Sequence, residues 1–218
     1  SLQTRAVVGQ DVGETILEVL ESEEADHAIL GWRGSFAQNE YAFGPNLDAL
    51  LTNVPVDVTL ANFQKRPVGT VVALVGDGPN APTAVRRSAE FATLADEAEQ
   101  PTLINIQLTD RKAGDESIES GSTAMEQGRE TIERAARQAG LNSGEYDASV
   151  LVGETVESTV IDAIDERDLV CLGLSNQSEL LRDRSGSIAE RIHDRVSCNV
   201  AIARGGREKI GSNRDVDT

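Results

Sequence analysis

One arrangement of residues occurs twice in this 218-residue chain and limits the folds that it can adopt. A short apolar run ends at a glycine, a Gly or Asn follows three residues later, and another glycine follows ten residues after that. The two copies read Gly31-x2-Gly34-x9-Gly44 and Gly173-x2-Asn176-x9-Gly186. A glycine-containing loop between a strand and a helix N-terminus presents unpaired backbone amides, which hold anions such as phosphate. The arrangement therefore predicts a parallel α/β sheet with candidate anion-binding loops.

The correspondence between the two copies extends beyond the glycines. With an offset of 144, Val8, Gly9, Val12, Ile16, Leu17 and Leu20 correspond to Val152, Gly153, Val156, Val160, Ile161 and Ile164. With an offset of 142, Gly31, Gly34, Gly44, Leu47, Leu50, Val54, Val58 and Leu60 correspond to Gly173, Asn176, Gly186, Ala189, Ile192, Val196, Val200 and Ile202. Agreement over about fifty residues indicates an internal duplication.

The spacing of apolar residues predicts an alternation of strands and helices along the whole chain. Strands are expected at residues 5–9, 28–31, 56–61, 70–75, 102–108, 148–153, 169–173 and 199–203. Helices are expected at residues 12–24, 45–52, 84–95, 124–139, 156–165 and 188–196, with an acidic loop at 109–123. Strands this apolar are buried on both faces, so we predict a three-layer α/β/α fold with a parallel sheet.

The duplication divides the chain into two unequal units. Residues 1–62 are predicted to form a half-domain with the last three strands and two helices of a unit, and residues 63–67 a linker. Residues 68–204 are predicted to form a complete five-strand unit, followed by a polar tail at 205–218. The chain starts close to a predicted strand and without a methionine, so we expect it to be part of a longer protein.

Charge and composition exclude several classes of partner. Thirty-seven acidic and twenty basic residues, of which three are lysines, give a net charge of −17. Because phosphate neutralisation needs clustered Lys and Arg, binding to nucleic acid is not expected. The composition suits a halophilic protein, since concentrated salt screens its self-repulsion. No apolar stretch of the sequence approaches the ~20 residues that a membrane helix needs.

Few residues in the sequence have the pattern of a reactive site. Cys171 and Cys198 fall in or beside predicted strands without a secretion signal, so we expect reduced packing residues of a cytoplasmic domain. The two histidines, His27 and His193, lack metal-ligand spacing, and no metal site is expected. No Ser/His/Asp or Cys/His set can be assembled, so the chain is predicted not to be an enzyme.

The glycine spacing, the strand that precedes Asp77-Gly78 and the order of strands and helices resemble a universal stress protein (UspA) domain. The resemblance covers residues 68–204 as a complete domain and residues 5–62 as a C-terminal half-domain. It implies an adenine-nucleotide alpha-hydrolase-like, flavodoxin-like sheet of order 3-2-1-4-5, with ATP or AMP at the carboxyl ends of the strands. That position agrees with the rule that open α/β sheets bind ligands at the topological switch point. The resemblance also implies pairing through the last strands.

The resemblance assigns a nucleotide-binding role to six residues, which are Asp77, Gly78, Gly173, Asn176, Gly186 and Ser187. Asp77 matches the family's aspartate on the adenosine side, and the residues from Gly173 to Ser187 match its phosphate loop. Asn176 stands where the family has glycine, and Asn tolerates a positive φ better than most residues. Ser187 and Glu190 also form a capping box, a structural role that by itself accounts for Ser187.

The first copy departs further from the family pattern. Pro45 occupies the position of the hydroxyl residue, which removes a hydroxyl and an amide donor. The first strand and its aspartate have no counterpart in the half-domain. We therefore expect nucleotide only in the second unit.

Two functions remain open at this stage. The first is a regulatory, nucleotide-sensing module of a larger protein, for which the family analogy suggests the cytoplasmic part of a haloarchaeal amino-acid transporter, with that protein's membrane domain as partner. The alternative is a ligand-free dimerisation and scaffolding module with degenerate nucleotide loops. In that function the chain self-associates through the edges of its last strands, Val56–Ala61 and Asn199–Ala203.

Overall fold

The structure is a computed structural model that describes residues 4–32, 51, 54–64, 68–94, 100–108, 117–164, 168–174, 192, 195–196 and 198–206. For residues 117–121 it describes the backbone alone. The predicted site residues Asn176, Gly186 and Ser187 lie outside this set, as do most of the predicted helices at 45–52 and 188–196. None of the helices in the described ranges is both long enough and apolar enough to span a membrane.

Seven strands of the described residues form a single sheet. They are β1 (His27–Gly31), β2 (Asp57–Asn62), β3 (Val71–Leu74), β4 (Thr102–Leu108), β5 (Asp147–Gly153), β6 (Leu169–Gly173) and β7 (Asn199–Arg204). Their order across the sheet is β1-β2-β7-β6-β3-β4-β5. Every neighbouring pair is parallel except β2 and β7, which are antiparallel. The five strands of the second unit thus have the predicted order 3-2-1-4-5, and the predicted α/β class is confirmed.

Four helices of the described residues connect these strands, namely α1 (Val12–Ser22), α2 (Ala81–Ala92), α3 (Ser117–Ala139) and α4 (Val156–Ala163). Asp11 caps α1 by accepting a bond of 2.9 Å from the Glu14 amide. Helix α3 ends at Ala139, and Gly140 follows it with a φ of 85°, a conformation that glycine adopts without strain. The Leu141 amide then donates to the Ala136 carbonyl at 2.9 Å, which completes a Schellman cap.

The core lies on both faces of the sheet, as strand alternation requires. On β6, Val170 and Leu172 pack in one apolar cluster, which also contains the buried Val160 of α4. Leu169 and Cys171 point the other way and pack with residues of α2 and α3. This division of β6 between two clusters gives the three layers that the sequence predicts.

Residues that are 142 positions apart occupy the same register in two strand pairs. His27 lies opposite Asp57 in the β1–β2 pair, and Leu169 lies opposite Asn199 in the β6–β7 pair. The bonds that flank the two ladders also correspond. The Trp32 amide donates to Ala61 at 2.9 Å, and the Leu174 amide donates to Ala203 at 2.8 Å. The internal duplication itself stays a prediction, but the same offset of 142 relates all of these residue pairs and backbone bonds.

Three sequence predictions are wrong in detail. Residues 5–9 do not form a strand, and Val8 is 98% exposed, because the neighbouring strand that would pair with them has no counterpart in the first unit. Residues 117–123, predicted as loop, extend α3, since turns added to a helix already packed at Ile132 need no new nucleus. Helix α2 begins at Ala81 rather than residue 84, because Pro82 in its first turn needs no amide partner.

The proposed boundary at residues 63–67 stays a prediction, and the strands on both sides of it share one sheet.

Candidate functional site

The carboxyl ends of β3 and β6 lie side by side at the switch point of the sheet. From β3 the chain continues to β4 on one side, whereas β6 pairs with β3 on the other. Leu74 lies opposite Leu172, and the segment after β3, which carries Asp77 and Gly78, leads to Asn80, whose side chain contacts the Leu174 carbonyl just after Gly173. Crevices of this kind are where open α/β sheets bind ligands. Of the predicted site residues, the structure describes Asp77, Gly78 and Gly173, and they lie at the carboxyl ends of these two neighbouring strands.

Asn80 connects three segments at this edge, and the sequence analysis missed it. Its side-chain amide donates to the Leu174 carbonyl at 2.6 Å, and its side-chain oxygen accepts from the Gly205 amide at 2.9 Å. Asn80 is also the N-cap residue of α2, but its side chain makes no capping bond to that helix. Its amide group thus ties the ends of β6 and β7 to the start of α2.

Gly173 is needed at its position for packing, whatever it binds. A Cβ there would lie 2.9 Å from the carbonyl carbon and oxygen of Asn80 and 3.1 Å from the Ala81 nitrogen. Real Cβ atoms do not approach backbone this closely, so a side chain would push α2 away from the sheet. The glycine lets the helix N-terminus come next to the end of β6.

Asp77 is occupied by an ion pair that only the tertiary structure shows. The Arg134 guanidinium on α3 donates to the Asp77 carboxylate and also to the Thr131 hydroxyl, the latter at 3.4 Å. The Asp77 side chain is 84% exposed and the Arg134 side chain is 50% exposed. Solvent-exposed ion pairs stabilise a protein by about 0–1 kcal/mol. A ligand can therefore displace either partner at small cost, and Arg134 adds a positive charge beside the predicted site.

Buried amide side chains hold the backbone that leads to Asp77. The Asn105 side chain on β4 donates to the Val75 carbonyl at 2.7 Å and accepts from the Gln107 side chain at 2.6 Å. The Val75 amide in turn donates to Ile104 at 2.8 Å. Gly128 of α3 packs over this group, because a Cβ there would lie 2.8 Å from the Asn105 side-chain oxygen. The loop that carries Asp77 is thereby fixed on its β4 side.

Within the described ranges no group of three or more His, Cys, Asp and Glu side chains is placed to hold a metal ion. Burial raises the pKa of Cys171 above its ordinary range and that of Cys198 to about 12, so neither thiol is ionised near neutral pH. Both are buried and free, which confirms the prediction that they are packing residues.

The sequence contains a local signal for Asn80 but none for Arg134, the two site residues that were not predicted. Asn80 follows a Gly-Pro turn and directly precedes α2, so a cap residue could have been predicted there. Arg134 is one of several exposed arginines in the chain, and no local pattern pairs it with a carboxylate 57 residues away.

Comparison with known proteins supports the fold. The model of the Universal stress protein family matches residues 2–62, and no curated protein matches the chain. A universal stress protein from Archaeoglobus fulgidus is similar with a TM-score of 0.51 and 15% identity, over 89% of this chain and 66% of that one. A functionally unknown protein from Pseudomonas aeruginosa gives a TM-score of 0.52 and 15% identity, over 89% of this chain and 68% of that one. A universal stress protein in complex with cAMP gives 0.42 and 16% identity, over 63% of this chain and 98% of that one.

These similarities define the chain first as an α/β protein with the fold of the Archaeoglobus protein, of which it covers slightly less than two thirds. More particularly, residues 2–62 match the model of the Universal stress protein family. This match falls on the first unit, which the sequence analysis treated as the less complete of the two. The likeness at 15% identity concerns the fold alone.

Proposed function

We propose that the chain is a non-enzymatic regulatory module that binds an adenine nucleotide, ATP or AMP, at the carboxyl ends of β3 and β6. One observation supports this proposal: Asp77 and Gly173 lie at the carboxyl ends of the adjacent parallel strands β3 and β6, although they are far apart in sequence. The crevice there combines a carboxylate, a close backbone approach and a helix N-terminus. An adenosine hydroxyl or amine can donate to the carboxylate, and phosphate oxygens can accept from backbone amides.

The charges around the crevice favour an anionic ligand. The chain as a whole is strongly acidic, but Arg134 places a guanidinium directly beside Asp77. The N-terminus of α2 adds the partial positive charge of its backbone dipoles. In this proposal the predicted phosphate contacts come from Asn176, Gly186 and Ser187, and Gly78 keeps the loop after β3 free of side-chain bulk.

Sensing would operate through the Asp77–Arg134 contact. A nucleotide that takes Asp77 as its partner releases Arg134, and with it a side-chain link between this loop and α3. A ligand shifts a conformational equilibrium by its difference in affinity for the two states. The free and bound positions of Arg134 would be those two states.

A ligand-free scaffolding function is the second candidate, and specific contacts favour it. Asp77 already has a partner, and Asn80 is satisfied on both sides of its amide. The antiparallel β2–β7 ladder holds the two units together within one chain. Self-association of two chains through these same strands would require that ladder to open.

The cellular context is also a proposal. We propose a halophilic source, a cytoplasmic position and a membrane partner domain of the amino-acid transporter type. The acidic, lysine-poor composition supports the first of these, because salt screens its repulsion. The other two rest on analogy with tandem domains of the family.

Calorimetric titration of the chain with ATP, AMP and a cyclic dinucleotide, in concentrated salt with magnesium, separates the two functions. The nucleotide-sensing function predicts heat of binding for ATP or AMP that Asp77→Ala lowers at least about tenfold in affinity. Asp147→Ala is the matched control, since this exposed aspartate begins β5 at the opposite edge of the sheet. Absence of heat with all three ligands would exclude nucleotide sensing and leave the scaffold.

A further inference from the structure

Strand β1 has a neighbour on one side only among the described strands, whereas its counterpart β6 has one on each side. β1 pairs with β2 at the end of the sheet. β6 pairs with β7 in the same register and also with β3, over four residue pairs from Leu169 to Leu172. An unpaired strand edge presents a row of free donors and acceptors that can bind another strand. The open edge of β1 thus corresponds to the edge of β6 that pairs with β3 in the second unit.

The glycine at the end of each strand has different surroundings in the two units, as far as the described residues show. At Gly173 the backbone of Asn80 and Ala81 lies within 3.1 Å of a Cβ position. At Gly31, which is 142 residues earlier, a Cβ would meet nothing within 4 Å. Gly31 therefore has space where Gly173 has the N-terminus of α2.

The exposure of the side chain two residues before each glycine also differs between the two strands. Ile29 is 55% exposed, whereas Cys171, its counterpart on β6, is completely buried under α2 and α3. A large exposed β-branched residue in the middle of a parallel strand is unusual, because such strands are buried on both faces. The uncovered surface thus runs along β1 from Ile29 to Gly31.

The helix of the second unit sets one border of this surface. Arg87 of α2 reaches across β2 and contacts the His27 ring at 2.8 Å, and Arg86 pairs with Asp57 at 3.1 Å. These contacts cover the amino end of β1 and leave its carboxyl half open. The space that remains is bounded by α2 on one side and continues past the sheet edge on the other.

We propose that the open edge of β1 binds a parallel β-strand followed by a helix, supplied by polypeptide outside these 218 residues. The incoming strand lies opposite His27–Leu30 as Val71–Leu74 lie opposite Leu169–Leu172. It carries small or branched apolar side chains on both faces, as β3 does. The helix begins with small residues that fit over Gly31, as Asn80 and Ala81 fit over Gly173. This surface is a protein-binding site that completes the first unit, and its existence does not depend on nucleotide binding.

Cysteine labelling of the whole chain tests this proposal. Ile29→Cys places a thiol on the open surface, while the native Cys171 and Cys198 are buried and react slowly. A fusion then supplies the missing segment, with residues 68–146 copied in front of residue 3, because residue 146 corresponds to residue 2 at the offset of 144. We expect the fusion to slow labelling at position 29 by at least about tenfold, since the thiol becomes accessible only by local opening.

The matched control is the same fusion with Pro in place of the copied Val72, which cannot pair as a central strand. Labelling in this control should be as fast as in the unfused chain. Equal rates in the two fusions, when both unfold cooperatively, would overturn the proposal. So would a thiol at position 29 that is unreactive in the unfused chain.

A second measurement needs no fusion protein, and it tests the binding of a strand and helix to β1 even if the fusion does not fold. A fluorescent peptide of residues 68–92, which contains β3 and α2, is titrated against the whole chain by anisotropy. We expect saturable binding that Gly31→Val abolishes and Gly144→Val leaves unchanged, because Gly144 lies in a turn before β5 and also has open space. If the fusion does not fold, absence of saturable binding counts as the contrary result.

Discussion

Leu60 on β2 lies directly opposite Ile202 on β7, and these two residues are 142 positions apart. They form the central pair of a five-pair antiparallel ladder that runs from Val58 and Arg204 to Asn62 and Val200. Because the same offset relates the registers of β1–β2 and β6–β7, an approximate two-fold axis passes between Leu60 and Ile202. Both side chains are almost completely buried in one cluster. The last strands of the two units thus meet edge to edge inside one chain.

This pair should be a stability determinant of the whole sheet. We expect Leu60→Ala and Ile202→Ala each to lower the free energy of unfolding by about 2–4 kcal/mol, because each leaves a cavity in the core. The double variant should lose less than the sum, since the two side chains are cross-strand neighbours. Denaturant unfolding in concentrated salt measures this, with the exposed Val8→Ala as control. Full additivity would show that the two residues do not share a contact.

The two equivalent glycines should respond differently to a methyl group. Gly173→Ala is expected to lower the free energy of unfolding by about 1–3 kcal/mol, because its Cβ collides with backbone at the start of α2. Gly31→Ala should change it by no more than about 0.5 kcal/mol, since that Cβ meets open space. Thermal and denaturant unfolding of the two variants provide the comparison. Equal destabilisation would contradict the difference in packing described here.

The charge cluster that joins α2 to β2 should matter far more than a surface ion pair. Asp57 accepts from Arg86 at 3.1 Å and lies 3.6 Å from the nearly buried Arg87. Asp57→Ala is expected to cost about 1.5–3 kcal/mol in unfolding free energy, because it removes one of the two carboxylates that contact the nearly buried Arg87, the other being Glu90, and leaves the Gly206 amide without its acceptor. Glu23→Ala, which removes the exposed partner of Arg5, should cost at most about 1 kcal/mol. Chemical denaturation of both variants checks the order, and a larger loss at Glu23 would refute it.

His27 should make stability fall on mild acidification. Arg87 can only donate, so the Nδ1 atom of His27 accepts from it at 2.8 Å, and the Nε2–H donates to the Thr59 hydroxyl at 2.9 Å. Burial first, and the Arg87 charge second, lower the pKa of His27 below its usual 6.5. The unfolded chain therefore takes up this proton at a higher pH than the folded chain, and stability decreases as the pH falls below about 6.5.

The measurement compares unfolding of the wild type and His27→Gln at about pH 7.5 and about pH 5.5. The wild type should lose more stability over this interval than the variant, because Gln cannot be protonated. Carboxylates contribute equally to both proteins, so they cancel in the difference. An identical loss in the two proteins would show that His27 is not the group responsible.

The native cysteines should be inert until the protein unfolds. Burial raises the pKa of both thiols, and the thiolate is the form that reacts. We expect alkylation of Cys171 and Cys198 near pH 8 to be at least about a hundredfold slower than in denaturant, as measured by mass spectrometry. Rapid labelling of Cys171 in the native protein would mean that β6 is exposed more often than this packing allows.

Much of the candidate site follows from local sequence, but its partners do not. Gly173 and Asp77 were predicted from the family resemblance, and each stands within two residues of an apolar run that local pattern identifies as a strand. Arg134 was not, since a residue on an exposed helix face carries no mark of the loop it contacts. Asn80 was missed because its two backbone partners, Leu174 and Gly205, lie on segments about a hundred residues further along. The nucleotide-binding roles of all six residues, including Asn176, Gly186 and Ser187 outside the described ranges, stay predictions.

The strand order of the complete unit was implied by the family resemblance, and the sequence by itself determined most of the strands and helices and the offset that relates the two units. Periodicity suffices for this, because it encodes which side of each segment is apolar. Only the tertiary structure decided that β2 and β7 pair antiparallel, that residues 5–9 stay unpaired, and that Ile29 is uncovered. The apolar pattern of a segment predicts that it forms a strand whose backbone needs hydrogen-bond partners, but it does not identify the neighbouring strand that supplies them. That choice depends on the neighbours available to the folded chain.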